Sequence, residues 1–173
     1  VVSEKSEPGK SYLSDLANRW ENSTISIENL GVSRAIIRIG VVLGKEGGVF
    51  NRMINPFRLG LGGSMGSGKQ GLSWIHISDV VGAIKYIIQN KLSGIFNLTG
   101  PEPVSFGTFT KELARALNRP HLFSIPAFVL RFTMGRMADE LLLGGANVFP
   151  EHLLALGYIF KYNDLNHAIN DLL

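Results

Sequence analysis

The apolar positions switch between two periods along the chain, and the alternation predicts helices interleaved with strands. Residues 11–23 place Leu13, Leu16, Ala17 and Trp20 at i, i+3, i+4 and i+7, the spacing of a helix with one buried stripe. Arg34 to Leu43 reads Arg-Ala-Ile-Ile-Arg-Ile-Gly-Val-Val-Leu, a β-branched run expected to form one buried strand closed by Gly44. Ser78 or Asp79 then caps a helix whose apolar face is Val80, Val81, Ile84, Ile87 and Ile88. Gly94 leads into a short strand over 95–99, ended by Gly100 and Pro101. Ser105 opens a further helix, with Val104 packed on Phe109 as a staple and a core stripe of Phe106, Phe109, Leu113 and Leu117. Pro120 stops it. Pro150 and Gly157 bracket a short helix, and a last one buries Leu165, Ala168, Ile169 and Leu172. Strands alternating with helices predict an α/β chain around a largely parallel sheet.

The composition narrows the class. The chain has 173 residues, 45% of them hydrophobic and 18% charged, enough to bury a core and too apolar for disorder. Gly, Pro or Asn interrupts the long uncharged stretches, so no membrane span of roughly 20 apolar residues is expected. The lack of Cys excludes a disulfide scaffold and a Cys-ligated zinc and permits a reducing compartment; a cytoplasmic location is expected. The 17 basic and 14 acidic residues give a dispersed net charge of +3, without the concentrated footprint that nucleic acid requires. His121, His152 and His167 are scattered, with no Asp or Glu at ligand spacing, and no metal site is expected.

Residues 60–71 read Gly-Leu-Gly-Gly-Ser-Met-Gly-Ser-Gly-Lys-Gln-Gly and match two phosphate-loop spacings. Gly63 to Gly68-Lys69 has the spacing of a Walker A loop, and Gly60, Gly63 and Gly66 that of a dinucleotide loop. Both chemistries need a strand before the loop and a helix N-terminus after it, because converging N–H groups hold the phosphate. The flanks Asn55 to Leu59 and Gly71 to Trp74 supply neither, and Gln70 stands where Ser or Thr would ligate magnesium. A loop lying against a ligand or a neighbouring backbone is the expected reading.

Three segments carry a resemblance: Arg38-Ile-Gly-Val-Val-Leu-Gly44, Gly66 through Trp74-Ile-His-Ile-Ser-Asp79, and Phe96-Asn-Leu-Thr99. They are similar to extended short-chain dehydrogenases/reductases. With Trp20-Glu21, Gly47-Gly48, Pro56-Phe-Arg-Leu-Gly-Leu-Gly-Gly63, Trp74-Ile-His76 and the tail from Pro120 through Met137 to Phe160, the chain resembles the atypical branch labelled "epimerase family protein". The resemblance implies the C-terminal part of a Rossmann-like NAD(P)-binding fold joined to a smaller α/β substrate-side domain. Residues 1–45 would end the Rossmann domain, and 46–173 would form the substrate-side region, with 78–100 returning to the sheet. It implies NADP or NAD as cofactor, a small-molecule substrate, and a dinucleotide loop outside this chain. A truncated sheet of that kind is expected to self-associate or to pair with the N-terminal half.

Two departures bear on chemistry. The family's Tyr-x-x-x-Lys pair falls on Leu13 and Ala17, and positions that serve a substrate diphosphate fall on Val41 and Leu72. An epimerase or oxidoreductase is therefore expected beside a second class, a non-catalytic nucleotide-binding or cell-division-related protein on the same fold.

The candidate residues follow from these motifs. His76 is the candidate proton donor, with a backbone-bonded structural His as the alternative. Gly40, Val41 and Val42 end a strand at its carboxyl edge, where the resemblance implies contact with the nicotinamide. Arg58, Gln70, Trp74 and Asn97 are candidate substrate contacts, although Trp74 suits core packing equally and Arg58 suits solvent. The period of two puts Trp74 and His76 on one strand face, and Gln70, Trp74, His76 and Asn97 are expected to converge on one cleft.

Overall fold

The computed structural model describes the backbone of residues 1–173 and every side chain but that of Leu141. In chain order the elements are α1 (Tyr12–Asn22), a 3-10 turn (Ile25–Leu30), β1 (Ala35–Ile39), β2 (Val41–Leu43) and α2 (Gly48–Arg58). Then come β3 (Gly63–Met65), β4 (Gly71–Leu72), β5 (Trp74–His76), α3 (Ile77–Gln89), β6 (Gly94–Leu98) and β7 (Val104–Ser105). The remainder is α4 (Phe106–Ala116), β8 (Phe123–Ile125), α5 (Ala127–Met134), α6 (Arg136–Ala138), a π turn (Asp139–Leu143), α7 (Glu151–Ala155) and α8 (Leu165–Leu172).

The apolar run 34–43 is not one strand. It breaks at Gly40: β1 pairs with β6, whereas β2 pairs with β5, both in parallel. The Gly40 N–H donates to Leu98 O at 3.0 Å, and the next N–H, of Val41, donates to Ser73 O at 2.7 Å. The chain thus changes partner between one residue and the next. A Cβ on Gly40 would collide with the Ser73 carbonyl and press on Thr99, so the crossing admits only glycine.

The β2–β5 pair is buried on both faces, as its unbroken apolar run requires. Leu43 and Trp74 face a core built from α2 (Phe50, Ile54, Phe57), α4 (Phe109, Leu113) and α8 (Leu165, Ala168, Ile169, Leu172). Ile75 faces the other core, made by α3 (Val80, Ala83, Ile87), β6 (Phe96, Leu98) and Leu153 of α7. The four residues expected inside the last helix are all buried there.

Four local expectations need correction. The stripe on α1 is not buried: Leu13, Leu16 and Trp20 are exposed, and an ion pair from Glu21 to Arg38 ties α1 to the sheet. On α3, Val81 and Ile88 are likewise exposed. Helix α2 lies outside the periodic pattern because Gly47 and Gly48 open it and Pro56 sits near its end, where its missing N–H forgoes a single helical hydrogen bond. Finally α4 ends at Ala116, with Asn118 in a left-handed conformation, before Pro120 acts. Among the described residues, no helix is long and apolar enough to cross a membrane.

The glycine-rich stretch follows helix α2 and enters strands β4 and β5, the reverse of a phosphate loop. Its glycines permit close backbone approach: Gly63 lies against Phe123, and Gly71 against Ala146 and Asn147.

Candidate functional site

A cavity of about 340 Å³ opens at the strand crossing. Its walls are Gly40 and Ile39 from the crossing, Ser14, Ala17 and Glu21 from α1, Asn97 and Thr99 from the end of β6, the segment near Val148, and the N-terminal stretch from Val2 to Gly9. The polar wall groups are engaged. Arg38 donates from Nε and Nη2 to the two Glu21 carboxylate oxygens, both at 2.7 Å. Those hydrogen bonds hold the Glu21 carboxyl below the usual carboxylate range and the Arg38 guanidinium above its own. Asn97 donates its side-chain amide to Phe149 O at 3.2 Å, and Thr99 its hydroxyl to Val148 O at 3.2 Å. The cavity therefore offers a firm, mixed-polarity shape and a paired charge.

A second cavity, about 810 Å³, lies past the carboxyl ends of β2 and β5 and is lined by Gly40, Val41, Val42, His76 and the loop 44–49. His76 is only 2% exposed and stacks on Tyr162, with ring centroids 3.8 Å apart. Its Nδ1 accepts the Ser78 N–H at 3.1 Å, so His76, and neither Ser78 nor Asp79, caps α3. An accepting Nδ1 places the proton of the neutral ring on Nε2, which lies 3.4 Å from Asp171 Oδ2 without hydrogen-bond geometry. Burial pushes the imidazole pKa down against the attraction of Asp171, leaving a neutral ring at pH 7. A neutral imidazole whose lone pair is occupied is a poor proton donor and has no free base. The proton-donor expectation gives way to a capping role.

The sign of the pH effect follows. The folded pKa lies below the unfolded value of about 6.5, so the unfolded chain binds the proton more readily. This contribution to stability is fully present above about pH 6.5 and is lost as pH falls from there through the folded pKa. Urea midpoints measured between pH 5 and 8 should show this acid-side loss in the parent and less of it in His76→Gln. An unchanged slope would contradict the assignment.

The expected convergence does not occur. Trp74 is fully buried in the core, and its indole N–H donates to Glu102 O at 3.0 Å. Gln70 is a loop staple, donating to Met65 O and Leu142 O, each at 3.0 Å. Arg58 is exposed at the end of α2 and lines neither cavity. Asn97 lines the first cavity and His76 the second, while Trp74 packs into the core that α8 joins. Gly40 touches both cavities, and Val41 and Val42 the second.

Sequence reasoning missed Glu21 with Arg38, Thr99 and the segment near Val148, since helix-to-strand pairs have no fixed spacing. It also misread Asp79, a buried carboxylate that accepts the N–H groups of Lys161 at 2.7 Å and Tyr162 at 2.9 Å.

Comparison with known proteins matches this architecture. Residues 125–172 fit a family model described as a domain of unknown function, DUF1731. An epimerase family protein of Staphylococcus aureus is 40% identical over 163 residues, which are 94% of this chain and 54% of that protein. The human epimerase family protein SDR39U1, solved with NADPH, superposes with a TM-score of 0.90 at 33% identity, over 99% of this chain and 58% of that one. Over this span the chain is similar to epimerase family proteins. A nucleoside-diphosphate sugar epimerase of Corynebacterium glutamicum also superposes, with a TM-score of 0.78 at 31% identity, over 99% of this chain and 33% of its own. The chain spans about half the length of the curated epimerase family proteins it matches. Its fold is the one found in NAD(P)-binding epimerases and short-chain reductases.

Proposed function

We propose that the protein is an NAD(P)-binding, epimerase-like oxidoreductase for a small polar substrate, with the nicotinamide end of the cofactor at Gly40. The carrying observation is the 340 Å³ cavity at the strand crossing, in a chain that superposes on a relative solved with NADPH. Ligand pockets run from about 300 to 1,000 Å³, so the cavity fits a nicotinamide riboside better than a whole dinucleotide. Among the described residues, no strand–glycine loop–helix cradle for the pyrophosphate accompanies it. When bound, the nicotinamide supplies hydride transfer. The residues of this chain shape the cavity: Gly40 gives close backbone approach, and small Ala17 leaves room.

No proton relay is built into that wall. Leu13 and Ala17 hold the positions of the family's acid/base pair, and Arg38 keeps Glu21 ionised. The paired carboxylate favours the second reading, a nucleotide-binding protein that performs no chemistry of its own or acts as an interaction module. Calorimetry with NADPH and NADH separates the outcomes. Saturable but weak binding, with a Kd well above micromolar and lost in Ala17→Leu, which fills the cavity from α1, is expected. Sub-micromolar binding would restore the glycine-rich stretch as a phosphate site, and no binding at millimolar cofactor would remove the nicotinamide reading. The substrate is expected to be a small polar molecule, with neither nucleic acid nor membrane as partner.

The side chains Leu13, Leu16 and Trp20 of α1 are exposed, and among the described residues β1 pairs with β6 on one edge alone. An open strand edge together with exposed apolar surface invites pairing with a further parallel strand or with a second copy. Light scattering should show concentration-dependent association that Trp20→Glu reduces. A monodisperse monomer at high concentration would contradict it.

A further inference from the structure

The second cavity holds an arrangement that the cofactor reading does not use. Helix α2 begins at Gly48 on the cavity wall, and its N-cap Gly47 has no side chain to bond the first N–H groups. Gly47 and Gly48 have φ of 111° and 76°, yet nothing lies within 4 Å of a Cβ at either. Glycine is therefore required there by backbone conformation, not by crowding, and no side chain caps the first turn of the helix. Helix α3 also begins on this wall, at Ile77 and Ser78, so the positive ends of two helices of 11 and 13 residues meet the same space. Between them sits His76, 2% exposed, whose Nε2 has no hydrogen-bond partner. Because its Nδ1 accepts from Ser78, that orphan atom is an N–H donor. Lys45 lines the same wall.

Buried donors without acceptors are rare and point to a missing partner. The Asp171 Oδ2 oxygen stands at 3.4 Å and belongs to a half-exposed side chain that can swing away. We propose that this cavity binds a phosphate group, free or carried on a small ester, between the two helix N-termini and the Nε2–H of His76. A phosphate suits the set because its several acceptor oxygens can take N–H groups that converge from different directions. Asp171 and Glu46 are the opposing charges on the wall, and Asp171 holds the place of the anion when none is bound. The site shares Gly40 with the strand-crossing cavity but is argued from His76 and the two helix starts, not from the nicotinamide reading.

The test is an NMR titration of the isotope-labelled chain with inorganic phosphate at pH 7.5 and constant ionic strength. The His76 ring resonance and the Gly48 and Val49 amides should shift together and saturate in the millimolar range. Asp171→Asn, which removes a competing carboxylate, should tighten binding about fivefold, and Lys45→Ala should weaken it about threefold. Glycerol 3-phosphate distinguishes the two sources: equal or tighter binding assigns the site to a phosphate ester, and weaker binding to the free anion. Shifts that fail to saturate, or that sodium chloride reproduces, would overturn the proposal. Unchanged affinity in Asp171→Asn would overturn it as well.

Discussion

Trp74→Ala is expected to cost about 4 kcal/mol of folding stability, near the top of the range for core aromatic truncations. The ring is fully buried in the cluster that joins β2 and β5 to α2, α4 and α8. Gly100 packs on its face, where even an added Cβ would sit 3.5 Å from the indole. The truncation leaves a cavity bounded by three helices, and strand neighbours hold its walls apart. It also leaves the Glu102 carbonyl without its indole donor. Trp74→Phe retains most of the apolar volume and should lose only about 1–2 kcal/mol, the share of the hydrogen bond and the smaller ring. Urea unfolding of the two variants reads both values. A loss below about 1 kcal/mol in Trp74→Ala would mean that the indole is not packed, and would return it to a ligand-stacking role.

That test isolates why the fold was legible in the sequence and the site much less so. The period of two in Trp74-Ile-His76 correctly separates Trp74 from Ile75, which the structure places in two different cores. Periodicity reports which side a residue faces. It does not report what covers that side. The cover is α8, some ninety residues later, and its own stripe of Leu165, Ala168, Ile169 and Leu172 was readable without any hint of its destination. Gly40 shows the same limit: its place in an apolar run signals a strand, while its function as a partner switch depends on Leu98 and Ser73 from elsewhere. The α1 stripe errs in the opposite direction. Its spacing is helical, but an apolar stripe is buried only if a partner meets it, and here an ion pair ties the helix to the sheet while the stripe stays exposed.

Asp79→Ala should remove about 3 kcal/mol, a fall in Tm of roughly 6–12 °C for a chain of this size. The carboxylate is 1% exposed, and each oxygen accepts one backbone N–H from the segment that delivers the chain into α8. Truncation leaves the Lys161 and Tyr162 amides without acceptors, and Tyr162 is itself buried against His76. The damage therefore spreads: the loop loosens, the Tyr162 ring leaves His76, and α8 loses its anchor on the Trp74 core. Asp79→Asn keeps one acceptor oxygen but turns an NH2 toward the second amide, so it should recover less than half of the loss. Hydrogen exchange gives a site-resolved check, with protection expected to fall first at Tyr162 and across α8 while α7 and β6 stay protected. A uniform loss of protection over the whole chain would show instead that Asp79 contributes only to global stability and does not fasten this segment.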